Sequence, residues 1–149
     1  MATPGMVASV EWTDGKRYLW MLGALTITLP IVAAVSALAT GWHPLWWAGP
    51  FIVFTIIPLL DFLIGDDPDN PPEDVVPTLE KQRYYRRIVY LATTVLYVSF
   101  AVSMWVLRTN DLVWYDYIAF AFSVGVVTGI SINTAHELGH KTDGFERWL

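Results

Sequence analysis

Cysteine is absent from the 149-residue chain. That excludes disulfides, iron–sulfur clusters, and any zinc or iron held by thiolates. Charge is also scarce: Asp, Glu, Lys and Arg together make up 15% of the residues, against roughly 25% in soluble proteins. The formal net charge is −5, so the basic excess that a nucleic-acid partner would call for is missing. There is no internal repeat and no low-complexity tract. What the chain does have is apolar bulk, with 54% hydrophobic residues and an aromatic share of 15% that includes 8 Trp. A soluble fold of this size has too little interior to hide so much apolar surface. Disorder is excluded with it, and the composition defines an integral membrane protein.

A spanning helix needs about 20 largely apolar residues, and four stretches meet that length: Tyr18 to Ala39 with Pro30 inside, Leu45 to Ile64 with Pro58 and Asp61, Ile88 to Leu107, and a run from Trp114 past Ile132. The expected fold class is all-α, a polytopic transmembrane helix bundle with four spanning helices in this segment. Only Gly41-Trp42-His43-Pro44 separates the first two spans, which predicts a helical hairpin over 18–64 after a cytoplasmic segment, 1–17. Residues 65–87 form a loop that is first Pro-rich and acidic, then basic. Thr78 is its candidate helix cap. Residues 88–149 hold the last two spans.

Of the nine Lys and Arg, all but Arg108 fall on the N-terminal side of the bundle: Lys16, Arg17, Lys81, Arg83, Arg86, Arg87, Lys141 and Arg147. The positive-inside rule then puts the N-terminus and the C-terminal end of the fourth span in the cytoplasm, with His43 across the bilayer. Span one reads as an uncleaved anchor. Trp42, Trp46, Trp47, Trp105, Trp114, Tyr115 and Tyr117 cluster at the far span ends and read as an interfacial aromatic belt.

The fourth span runs into His136-Glu137-Leu138-Gly139-His140. Residues four apart share a helix face, so both imidazoles can address one metal ion. Ionisable groups at membrane depth are costly and mark function. Zinc proteases use this pattern, with the Glu as general base; histidine-rich membrane di-iron oxygenases use similar spacing, and the pentapeptide does not choose between them. Upstream, Gly125 and Gly129 are a GxxxG pair suited to close helix approach. Asn133 continues that stripe towards His136, so one face of the span is expected to be a packing seam that ends in metal ligands.

Two stretches settle the choice by resemblance. "IPLLDFLIGDDPDNPPEDVVPTLEKQRYYRRI" and "SINTAHELGHKTDGFERWL" closely resemble the integral-membrane alkane hydroxylases. The Asn-Pro-Pro-Glu loop, the Arg-Tyr-Tyr-Arg and the first His box stand in the family's order, and the likeness covers residues 15 to 149. It implies terminal hydroxylation of a medium-chain alkane with O2 as co-substrate. It also implies two non-haem iron ions, and electrons from rubredoxin supplied by an NAD(P)H-dependent rubredoxin reductase. The setting it implies is the bacterial inner membrane.

By the same resemblance His136 and His140 would be iron ligands. Glu137 would either orient a ligand or face a neighbouring helix. Asp61, one turn from the end of span two, would either support an iron-bound His or cap a helix end. An acidic electron carrier would find Arg83, Arg86 and Arg87 on the cytoplasmic side, although membrane anchoring explains these charges equally. An eight-carbon chain is roughly 10 Å long, about two helical turns. That places the expected substrate-lining residues at Val53, Phe54 and Ile57 on span two and at Gly129, Ile130 and Asn133 on span four. Two ligands cannot hold two irons, so the chain is expected to be the N-terminal portion of a longer enzyme and inactive alone. An intramembrane zinc metalloprotease and a fatty-acyl desaturase or hydroxylase of the same di-iron class are the rival expectations. The protease leaves the Asn-Pro-Pro-Glu loop unexplained.

Overall fold

The computed structural model describes residues 12–65, 71–139 and 144. Every regular element among them is helical. A short 3-10 turn, Arg17–Leu19, leads into α1 (Trp20–Thr26), and α2 (Leu29–Thr40) follows at a 55° bend. Pro30 explains the bend. It has no N–H for the Thr26 carbonyl and disfavours helical geometry at the residue before it. The break tightens locally, with Thr28 N–H donating to the Leu25 carbonyl at 3.0 Å. The Ile27 carbonyl accepts the Ser99 hydroxyl from another helix at 3.0 Å.

Gly41 ends α2 in the left-handed region (φ 67°), its N–H donating to the Ala37 carbonyl at 2.8 Å. A 3-10 turn, His43–Trp47, then starts the second span, which continues through α3 (Ala48–Phe51), a π-helical stretch (Ile52–Ile56) and α4 (Ile57–Ile64). In the π stretch Ile57 N–H donates to the Ile52 carbonyl five residues back. Such widened turns absorb a missing donor, here Pro58, and often occur at functional sites. After Gly65 the surface helix α5 (Val76–Lys81) starts two residues before Thr78 and has no side-chain cap, so Thr78 is not the cap. Extended backbone at Gln82 separates α5 from α6 (Arg83–Thr109), and α7 (Trp114–Gly139) follows antiparallel.

Three helices are long and apolar enough to cross a membrane, His43–Ile64, Arg83–Thr109 and Trp114–Ile132, and the bent α1–α2 pair brings the count to four where it is taken as one span. The protein is a multi-pass all-α bundle, with α7 the most enclosed span. One core cluster, Ala34, Ala37, Trp46, Val106, Ala119, Phe120 and Val124, fills the half near the α2–α3 turn. Ala24, Ile27, Ala92 and Val127 fill the other half. Alanines recur in both, because helices in lipid gain by close contact rather than by hiding from water. Trp46 departs from the expected belt: it is only 3% exposed and packs edge-on to Phe120, with ring centroids 5.1 Å apart. The other belt residues are exposed.

The close-approach glycine is Gly49, not the GxxxG pair. A Cβ on Gly49 would lie 3.1 Å from Ser123 Cβ and Oγ, whereas among the described residues one on Gly125 or Gly129 meets nothing within 4 Å. Ser123 is fully buried and donates to the Trp46 carbonyl at 3.0 Å, tying α7 to the second span. Gly49→Ala is therefore expected to destabilise the bundle by about 1–3 kcal/mol through overpacking. Gly125→Ala introduces no such overlap in this segment. Thermal unfolding in detergent checks the difference.

Candidate functional site

At 3.6 residues per turn, α7 has two contrasting faces. Val127 and Ser131 lie on one side and are buried against the neighbouring helices. Gly125, Gly129, Ile132 and His136 lie about half a turn around the helix and are all exposed. The stripe read as a packing seam is thus an open face in this segment. His136 ends it, in the last described turn of α7. His140 lies outside the described residues. Asn133 falls in α7 on the His136 side. Glu137 falls two turns after Ile130, on that residue's side of the helix. The side chains of Asn133 and Glu137 are outside the described residues. Asp61 is exposed in the last turn of α4, its carbonyl accepting the Gly65 N–H at 2.9 Å. Among the described residues no three His, Asp or Glu side chains gather where they could hold a metal ion.

The expected substrate-lining residues separate in space. Val53 and Ile130 line one half-open cavity of about 290 Å3, walled by α1, the π stretch, α6 and α7. Trp20, Ala24, Ala92 and Val127 add to a mostly apolar wall that also includes Thr26 and Ser131. Ile130 precedes His136 by six residues, or about 9 Å along the axis. Phe54 instead points outward, 60% exposed, and stacks on Phe122 with centroids 6.1 Å apart. Ile57 is also largely exposed, and Gly129 lies on the opposite face of α7 from the cavity.

The Arg-Tyr-Tyr-Arg motif has a visible local role. Asp14 accepts the Tyr85 hydroxyl and, at 3.0 Å, the Trp20 indole N–H. The Tyr84 hydroxyl donates to the Arg17 carbonyl at 2.7 Å, and the Arg17 guanidinium lies 4.5 Å over the Tyr84 ring. The two tyrosines therefore clamp residues 14–20 to the start of α6.

A second polar site, which the sequence reading did not single out, lies at the other end of the bundle. Asp116, in the first turn of α7, is 2% exposed, and its Oδ2 lies 2.6 Å from His43 Nδ1. Its Oδ1 is buried without a hydrogen-bond partner among the described residues. The helix N-terminus favours a carboxylate there. An acid inside an apolar span was the sequence signal that could have found it. His43→Ala strips the buried carboxylate of its partner and is expected to cost about 1–3 kcal/mol, towards the low end because the imidazole is half exposed. Asp116→Asn in the His43→Ala background should recover part of the loss, as read by thermal unfolding.

These features define a class: a multi-pass α-helical membrane protein with a histidine of metal-ligand spacing at one end of its central helix and an apolar cavity about two turns away. No protein-family profile matches the chain. Individual relatives do. It is 42% identical over 139 residues to an alkane 1-monooxygenase of Ectopseudomonas oleovorans, covering 93% of this chain and 35% of that protein. It is 40% identical to the alkane 1-monooxygenase of Pseudomonas putida over the same shares of each chain. To alkane 1-monooxygenase 1 of Alcanivorax borkumensis it is 39% identical, over 93% of this chain and 34% of that protein. The chain spans about a third of the length of these curated relatives, and over that span it is homologous to the alkane 1-monooxygenases. The resemblance read from the loop and the His box is borne out.

Proposed function

We propose that this chain forms part of a membrane monooxygenase that hydroxylates the terminal carbon of medium-chain alkanes to primary alcohols, using O2 and electrons from rubredoxin. The observation that carries the reading is His136, four residues before His140 in a chain 42% identical to an alkane 1-monooxygenase. Imidazole suits iron, and the chain spans about a third of its relatives' length, so the residues present fit part of a di-iron ligand set completed elsewhere in a longer protein. Two non-haem irons, when bound, would supply the activation of O2. The chain's own residues supply the rest. His136 and His140 would hold metal, with Glu137 and Asp61 as the acids available to orient imidazoles. The cavity at Val53 and Ile130 would seat the alkane against walls that are mostly apolar. The distribution of Lys and Arg supports a cytoplasmic N-terminus and a cytoplasmic His box in the bacterial inner membrane. That arrangement would make the site reachable for a soluble carrier docking near Arg83, Arg86 and Arg87.

The test is the metal content of the full-length protein purified in detergent, followed by octane turnover with rubredoxin and its NAD(P)H-dependent reductase. Close to two irons per chain with 1-octanol as product is the expected result. One zinc and no iron would overturn it in favour of a metalloprotease.

A further inference from the structure

A recess of about 230 Å3 lies beneath α5, where Pro71, Val76 and Leu79 face Ile88 and Val89 at the start of α6. It exposes only apolar atoms, although it lies beside the polar loop and the basic start of α6. Trp20, Ile88 and Val89 line both this recess and the 290 Å3 bundle cavity, so one layer of side chains separates the two. Ile88 and Val89 are held on the second turn of a long helix. Trp20 is different. It begins α1, is half exposed, and is held by one hydrogen bond to Asp14 and an edge-on contact with Tyr85 at 6.0 Å. One turn on, Gly23 lines the bundle cavity with open space where a Cβ would be, so the indole has room to turn inward.

We infer that Trp20 is a movable partition between the two cavities, and that an unbranched, uncharged hydrocarbon chain reaches the bundle cavity through the recess under α5. The inference rests on the proposed reading of the bundle cavity as the alkane site. A chain without a polar head suits this route, because the recess offers it no exposed hydrogen-bonding atom. Asp14 acts as a positioning residue, holding the indole across the passage.

The experiment is steady-state turnover of octane and hexadecane by the full-length enzyme in membranes. Trp20→Ala is expected to raise kcat/KM for hexadecane several-fold relative to octane. Leu79→Trp, which fills the recess from a surface helix, should lower kcat/KM for both alkanes several-fold while leaving kcat at saturation unchanged. Asp14→Ala should follow Trp20→Ala, and Asp14→Asn should restore the original ratio, since its amide oxygen still accepts the indole N–H. Responses of opposite sign cannot come from poor folding. If Leu79→Trp and Trp20→Ala leave kcat/KM unchanged while Val53→Phe still shortens the accepted chain, the route is wrong and the cavity reading stands. If Val53→Phe also changes nothing, the cavity reading fails and takes the route with it.

Discussion

Replacing His136 with alanine in the full-length protein is expected to lower alkane hydroxylation by at least about 100-fold, because removing even the groups that merely orient metal ligands costs 10–100-fold. Iron bound per chain should fall with it. The helical fold should be retained, as read by circular dichroism, since the His136 side chain is exposed rather than part of the packed core. His43→Ala is the matching control. Its partner Asp116 sits twenty residues before His136 on the same helix, about 30 Å away along the axis. That variant should lose stability while keeping its iron. A His136→Ala protein with unchanged iron and unchanged turnover would remove the metal site from α7.

The second large effect concerns chain length. Val53→Phe and Ile130→Phe each put bulk into a cavity of about 290 Å3. One methylene more or less in an apolar pocket is worth 10–200-fold in selectivity, so decane turnover should fall at least about tenfold relative to hexane. Phe54→Ala is the control, because its ring faces outward against Phe122 and its loss should leave the product profile as it was. Product distribution from an equimolar alkane mixture reads all three at once. An unchanged profile in both Val53→Phe and Ile130→Phe would mean that the alkane binds elsewhere.

Much of the local structure could be read directly from residue types. Pro30 foretells the bend between α1 and α2, Gly41 the end of α2, and the apolar runs the helices able to cross a membrane. The four-residue spacing of His136 and His140 is legible without any fold. The direction in which each helix faces could not be read in the same way. In a water-soluble helix the polar face betrays the buried one; in a bilayer both faces are apolar, and the pattern says little about which side meets protein. Gly125 and Gly129 looked like a seam and lie open, while Gly49 made the close contact through Ser123. Trp46 read as a belt residue by position and composition, yet it fills the core.

The sequence alone therefore determined that this chain is a multi-pass membrane protein, that His136 and His140 stand at metal-ligand spacing, and which relatives it has. Those are consequences of hydropathy, of the fixed 3.6-residue period and of a specific motif order. Only the tertiary structure decided that Val53 and Ile130 share a cavity while Phe54 and Gly129 face away from it. It also decided that His43 is paired with a buried Asp116, and that Trp20 stands between two apolar spaces. Each of these joins residues tens of positions apart through the packing of separate helices, and no local period in the chain encodes such contacts.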